Sequence, residues 1–309
     1  MSASTVAVIV PATTANIGPG FDCVGAALTL YNQFEFSLLA AAHPLEITVS
    51  GVGAERVKPD ASNLVYQAFV KLYQHLDRSP PPVHIAINMN VPLARGLGSS
   101  ATAIVGGLVG ANHLAGLPLT QAEVMQLAIA IEGHPDNVVP ALIGGCQLAA
   151  SGSDRPWEIC DLEWDAAIVP VVAIPDFELS TAEARRVLPD QYSRTDAIFN
   201  TAHLGLLIRA LATGNADWLR SALDDRIHQP YRQALIPGYE AVREAAIGAG
   251  AYGMVISGAG PTLLALANSD TVGAVEVALA DAWVAQGVSV EVKGLQVDRQ
   301  GAISEFKSV

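Results

Sequence analysis

Positive charge, cysteine and aromatic residues are all scarce in this chain, and each shortage narrows what it can be. Lys and Arg number 17 against 30 Asp and Glu, a net charge of −13 over 309 residues. A polyphosphate backbone would be repelled by that field, so the composition disfavours nucleic acid as a partner. A small anion stays compatible, because a few local cations and N–H groups are enough to hold it. The three cysteines, Cys23, Cys146 and Cys160, form no CxxC pair and no even framework. That disfavours a disulfide scaffold and suits a reducing compartment. No Lys or Arg precedes Arg56, and the apolar run Val6–Val10 stops at Pro11. A secretory leader needs a basic start and a longer apolar stretch, so the expected location is cytoplasmic. Long hydrophobic runs are missing too. The nearest approach to a membrane span, Ala101–Leu119, is interrupted by Asn112 and His113 and opens from a polar turn. Its Gly106 and Gly110 read better as the packing face of a buried helix.

What the chain does contain is 51% apolar residues and ample length for a sizeable core. Strands are expected at Thr5–Val10, Ala26–Phe36 and Leu45–Val49. A further strand is expected at Val83–Val91, where Val83, Ile85, Ile87, Met89 and Val91 alternate with His84, Ala86, Asn88 and Asn90. Pro11–Gly25 and Glu132–Gly145 are expected as polar loops. Helices are expected at Asn63–Leu76 and Ser99–Ala115. Another should follow Thr120, which with Glu123 makes a capping-box pattern, and end near Gly133. The second half mixes strands (Val169–Ile174, Met254–Ile256, Leu263–Ala267, Ser289–Val292) with helices (Ser180–Pro189, Ser193–Leu211, Asp217–Leu223, Glu240–Ile247, Thr271–Gln286) without strict alternation, an α+β pattern. Turn composition suggests a domain boundary near Ser151–Trp157.

The chemistry is concentrated first in "VPLARGLGSSATA", Val91–Ala103. A strand, a glycine turn and a helix start present backbone N–H groups to a phosphate. It is not a Walker A loop: Gly98 is followed by Ser99, and no lysine lies between Lys71 and Lys293. "GLGSSA" does fit GxGxxA, the relaxed dinucleotide fingerprint. The acidic ribose partner should then end a second strand about 20 residues on, and Leu114–Ala122 is a turn before another helix. The preceding strand also alternates, where a central parallel strand would be apolar throughout. Taken alone, the glycines could serve packing and the two serines could cap the helix.

Three segments in order, "PATTANIGPGFDCVGAAL", "PLARGLGSSATA" and "SGAGPTLLAL", resemble the three motifs of the GHMP kinases, which phosphorylate small metabolites. Four further segments, "ANIGPGFD", "EGHPDNVVPALIGG", "STAEARRVLP" and "HQPYRQALIPGY", resemble the branch of that superfamily acting on homoserine. The resemblance spans essentially the whole chain. It implies a two-domain α+β GHMP kinase fold. A ribosomal-S5-like N-terminal domain (1–155) with a left-handed βαβ crossover would bind nucleotide, and a ferredoxin-like C-terminal domain (156–309) would pack beside it. It implies ATP and Mg²⁺ as cofactors and L-homoserine as the small-molecule substrate, in a reaction feeding threonine synthesis. No nucleic-acid or membrane partner is implied, and a homodimer is compatible. Another GHMP kinase of the mevalonate type and a non-catalytic ligand sensor on the same fold are the alternatives.

The roles implied follow residue by residue. Pro92, Arg95, Gly96, Leu97, Gly98, Ser99, Ser100 and Ala101 would wrap the ATP phosphates. Asn63 matches an adenine-side asparagine, with a helix N-cap as its plain alternative. Ser100 and Glu132 would hold the metal. Asp22 suits the substrate ammonium and Asn16 its orientation. Arg185 and Arg232 suit its carboxylate, because a guanidinium grips a carboxylate in two places; Arg186 competes with Arg185 for that role. His134, Asp136 and Asn137 would face the reacting hydroxyl, with Asp136 either a base or structural. Gly258 and Gly260, with Ala259, would close over the phosphate or substrate side, with a tight strand connection as their plain alternative.

Overall fold

The computed structural model describes residues 5–40, 44–152 and 155–307. The chain opens with β1 (Thr5–Asn16) and β2 (Gly20–Leu38), a long antiparallel pair. Then come β3 (Leu45–Gly51), α1 (Leu64–His75) and β4 (Val83–Met89). β3 and β4 are parallel neighbours joined through α1. Next are α2 (Ser99–Leu114), α3 (Gln121–Glu132), α4 (Pro135–Ile143), β5 (Cys146–Gly152) and β6 (Arg155–Leu162). The second half runs β7 (Val169–Pro175), α5 (Thr181–Arg186), α6 (Arg194–Thr213), α7 (Ala216–Ala222), α8 (Gln229–Arg232), α9 (Tyr239–Gly248), β8 (Gly253–Ile256), β9 (Leu263–Ala267), α10 (Val272–Ala285), β10 (Val290–Gly294) and β11 (Ile303–Lys307).

Two sheets result. The first has seven strands, ordered β11-β1-β2-β4-β3, with the β5–β6 hairpin attached to β2. The alternation of β4 buries Val83, Ile85, Ile87 and Met89 on the face that α1 and α2 cover. α2 is apolar almost all round because it is buried between that sheet and α1. Its Gly106 and Gly110 allow this approach: an added Cβ would lie 2.6 Å from Phe34 and 2.3 Å from Phe36. The spacing that hinted at a membrane helix is thus a helix–sheet contact, and among the described residues no helix is long and apolar enough to cross a membrane. The second sheet is antiparallel, ordered β10-β7-β9-β8. With helices between β7 and β8 and between β9 and β10, it is the βαββαβ arrangement of ferredoxin-like folds. A third apolar cluster joins the sheets: Val24, Ala26 and Leu28 of β2 pack with Val172 and Ile174 of β7 and Leu264 and Leu266 of β9.

Three expectations change. Pro11–Gly25 is mostly strand, and only Ile17–Pro19 turns. Its threonines are satisfied across the fold rather than locally. Thr13 Oγ1 donates to Asn137 Oδ1 (2.9 Å) and Thr14 Oγ1 accepts from Ser257 Oγ (2.9 Å). Glu132–Gly145 contains α4, which starts with Pro135 in its first turn, where the missing N–H is harmless. The boundary expected at Ser151–Trp157 falls inside the β5–β6 hairpin, whose Ala149–Ile159 pairing belongs to the first sheet. β11, which local pattern did not reveal, returns from the second half to pair with β1.

Candidate active site

A cavity of about 480 Å³ is lined by residues from both halves of the chain. Val57, Leu64, Val65, Met89 and Leu93 give it an apolar wall. The phosphate-type turn supplies another wall. α1, α3, α5, α6 and α7 each open on a side-chain cap; α2 opens on Gly98 with none, as do α4, α8, α9 and α10, and of these uncapped starts α2 lies on the glycine turn of the cavity. Ser99 therefore does not cap the helix, contrary to the plain reading; it is the first helical residue. The N–H groups of this first turn have no side-chain partner and sit at the positive end of a 16-residue helix. Gly98 has φ 66° and packs so closely that a Cβ would lie 1.9 Å from Thr13 Oγ1 and 3.2 Å from Asn137 Oδ1. The turn and Asn137 are thus held in contact.

Of the residues expected here, Asn16, Asp22, Asn63, Arg95, Gly96, Gly98, Ser99, Ser100, Glu132, His134, Asp136, Asn137, Arg185, Arg232, Gly258 and Gly260 all line the cavity. Pro92, Leu97 and Ala101 do not. Leu97 and Ala101 are wholly buried core side chains, so only their backbone is available. Asn63 is the N-cap of α1: its Oδ1 accepts from Val65 N–H (3.0 Å) and its Nδ2 donates to the Lys58 carbonyl (2.9 Å). Arg185 lines the cavity and Arg186 does not, which separates the two candidates.

Three charged clusters shape the rest. Ser100 Oγ donates to Glu132 Oε2 at 2.8 Å. Burial pushes the Glu132 carboxyl up, against the pull of that hydrogen bond and of His134. These are hard oxygen donors of the kind Mg²⁺ takes. No group of three or more His, Cys, Asp or Glu able to hold a metal by itself occurs among the described residues. Second, Asp136 accepts from His134 Nδ1 (2.6 Å) and from Asn137 Nδ2 (3.3 Å), and the bond to Asp136 raises the imidazole above its ordinary value. Third, Arg185 donates both terminal nitrogens to Asp22, each at 2.9 Å. Asp22 and Arg185 were expected to meet different ends of a ligand; here they meet each other. Buried Arg232 lies beside them. Its Nε donates to the Ala184 carbonyl (3.1 Å) and one terminal nitrogen to the Gly258 carbonyl (3.0 Å). Asn16, held at φ 72°, donates to the same Gly258 carbonyl (2.7 Å) and accepts from the Asp22 N–H (3.0 Å). Burial lifts the Cys23 thiol to about 11 and the Cys146 thiol to about 12, so neither is a nucleophile near neutral pH.

The chain matches the model of the GHMP kinases N-terminal domain over residues 63–145 and that of the GHMP kinases C-terminal over 207–285. It is 67% identical to the homoserine kinase of Trichormus variabilis, covering 97% of this chain and 98% of that one. The chain belongs to the homoserine kinase family of the GHMP kinases. The fold agrees. A homoserine kinase crystal structure from Cytophaga hutchinsonii superposes with a TM-score of 0.89 at 29% identity over 97% of both chains. The mevalonate kinase of L. major, solved with R-mevalonate, gives a TM-score of 0.73 at 17% identity and shares the fold alone. The residues singled out in the sequence gather on one cavity, but that reading left out Thr13, whose hydroxyl donates to the Asn137 amide oxygen, and the layer behind Arg232 formed by Phe21 and His228. Thr13 lay in a stretch that read as loop, and no local pattern marked it.

Proposed function

We propose that this homoserine kinase family member transfers the γ-phosphoryl group of ATP to the side-chain hydroxyl of L-homoserine, a step toward threonine. The observation carrying this reading is the Asp22–Arg185 ion pair beside Arg232, in the same cavity as the uncapped N-terminus of α2. An amino acid bears its ammonium and carboxylate on one carbon, and a carboxylate–guanidinium pair is their mirror in charge. The pair is more than a third exposed on both sides, so it is worth about 0–1 kcal/mol and opens readily. A charge-assisted hydrogen bond to the substrate is worth roughly 1.5–3 kcal/mol. The exchange therefore favours the ligand. Asp22 takes the ammonium; Arg185 and Arg232 take the carboxylate. Mevalonate has no ammonium for Asp22.

The remaining groups orient the reaction. N–H groups of the α2 first turn, with Ser99 and Ser100, receive the phosphates, and Arg95 lies at the same wall. The apolar wall takes the base of the nucleotide, with Asn63 at its edge. Ser100 and Glu132 would hold Mg²⁺ on the nucleotide, where it supplies charge neutralisation across the phosphate oxygens. Asn137 presents its amide N–H to the acceptor hydroxyl because Thr13 occupies its oxygen. Asp136 is engaged by His134 and Asn137, which suits a positioning group rather than a committed base. Phosphoryl transfer needs position and charge more than covalent chemistry.

The test compares homoserine with an uncharged homoserine ester. R185A and R232A should each weaken homoserine by about one to two orders of magnitude per bond lost, move the ATP KM little, and lose the preference for the free acid. R186A serves as the control and should be nearly silent. If both clamp variants keep wild-type discrimination between acid and ester, the arginines do not bind the carboxylate.

A further inference from the structure

Behind Arg232 sits an imidazole that the reaction itself does not use. His228 is fully buried, and its ring stacks on Phe21 with centroids 5.1 Å apart and planes at 22°. Its Nε2 lies 2.9 Å from the Gly18 carbonyl. A carbonyl only accepts, so Nε2 carries the proton and Nδ1 a lone pair. Nδ1 faces a terminal nitrogen of Arg232 at 3.4 Å, and a guanidinium only donates. Both contacts select the same neutral tautomer. Among the charged groups around it, Asp225 lies 3.6 Å from Nε2, too far to compete with Gly18. Arg232 acts at Nδ1, and the Asp22 carboxylate also bears on the ring by its charge. Burial and the Arg232 charge hold the imidazole below its ordinary value against Asp225 and Asp22.

The backbone that carries His228 is pinned in turn. The Asp225 carboxylate accepts from the N–H groups of Ile227 (2.9 Å), His228 (2.9 Å) and Gln229 (2.6 Å) and from Asn200 Nδ2 (2.8 Å). On the other side, Gly18 belongs to the sharp turn between Asn16 and Asp22, both at positive φ. One side chain therefore touches the turn that presents Asp22 and the guanidinium of Arg232. Nε and one terminal nitrogen of Arg232 are already used by the protein, which leaves the second terminal nitrogen for a ligand.

We infer that His228 is a positioning residue for the amino-acid substrate: as the neutral Nε2–H tautomer it fixes the Asp22 turn and the Arg232 guanidinium relative to each other. This rests on the homoserine site proposed above. The competing reading is that the ring merely fills space, and two variants separate them. Glutamine carries one donor and one acceptor and can replace both hydrogen bonds; leucine fills the volume with neither. H228L should raise the homoserine KM about tenfold or more while the ATP KM stays within about twofold, and H228Q should recover most of the loss. A second measurement needs no substitution. Long-range ¹H–¹⁵N NMR of the wild-type histidines should show a buried Nε2–H tautomer whose Nδ1 resonance shifts with homoserine and not with a non-hydrolysable ATP analogue. The two readings fail separately. Wild-type protein without homoserine turnover removes the substrate assignment and this inference with it. Wild-type turnover with an Nδ1–H tautomer, with H228Q as impaired as H228L, or with both KM values rising together overturns the inference alone.

Discussion

Ser100 and Glu132 are 32 positions apart and share a 2.8 Å hydrogen bond at the foot of α2. Either side chain alone has an ordinary explanation, a helix-start hydroxyl or a helix-end carboxylate. Their convergence beside an uncapped helix N-terminus makes a pair of oxygen donors where phosphates are expected. S100A and E132Q should both slow turnover with the fold intact, and E132Q should raise the Mg²⁺ concentration needed for half-maximal rate. Unchanged Mg²⁺ dependence in E132Q would move the metal role elsewhere. At this scale the sequence was readable for residue type and unreadable for partnership. Asp22 and Arg185 were both singled out in the sequence, yet their mutual ion pair joins residues 163 positions apart and no local pattern encodes it. The same holds for Thr13 and Asn137, 124 positions apart.

Elements whose logic is local were legible and elements whose logic is tertiary were not. β4 follows its alternation, and α3 begins at the capping box that Thr120 and Glu123 announce: both reciprocal hydrogen bonds form. α4 was hidden because Pro135, Pro140 and the flanking glycines look like loop, while Pro135 in the first turn and burial of Val138, Val139 and Leu142 make it a helix. The capping box carries its own prediction. T120A should lower stability by about 0.5–2 kcal/mol in urea unfolding without altering either KM, since α3 touches the site only through Glu132. The pH dependence has a definite sign. Hydrogen bonds from the Thr120 N–H and hydroxyl hold the Glu123 carboxyl below its ordinary value of 4.5. A carboxyl lowered in the folded state stabilises above its unfolded value and loses that contribution as acid titrates it. The gap between wild type and T120A should therefore be full above pH 4.5 and shrink on acidification. A gap that widens toward acid would contradict the capping box.

At the scale of the whole molecule, the long β1–β2 ribbon belongs to the first sheet and packs through Val24, Ala26 and Leu28 against the second, while the cavity draws its lining from both halves of the chain. The chain crosses between the halves more than once. β11 returns to β1, Leu28 of β2 bridges to Val297, and Arg56 near β3 pairs with Glu178 beyond β7. This interleaving is why a boundary read from turn composition fell inside a hairpin. It also lets one cavity collect a phosphate-type helix end from the first half and arginines from the second. Three ordered motifs made the family visible in the sequence because each must keep its residue types at close spacing; the cavity that unites them is a property of the fold. On the proposed function this cavity pairs ATP with a hydroxylated amino acid. The direct measurement is ADP release, with ³¹P NMR of the product, across a panel of hydroxylated acids with and without Mg²⁺. Turnover should require Mg²⁺ and prefer L-homoserine, giving its O-phosphate. Equal or better turnover of mevalonate would contradict the account.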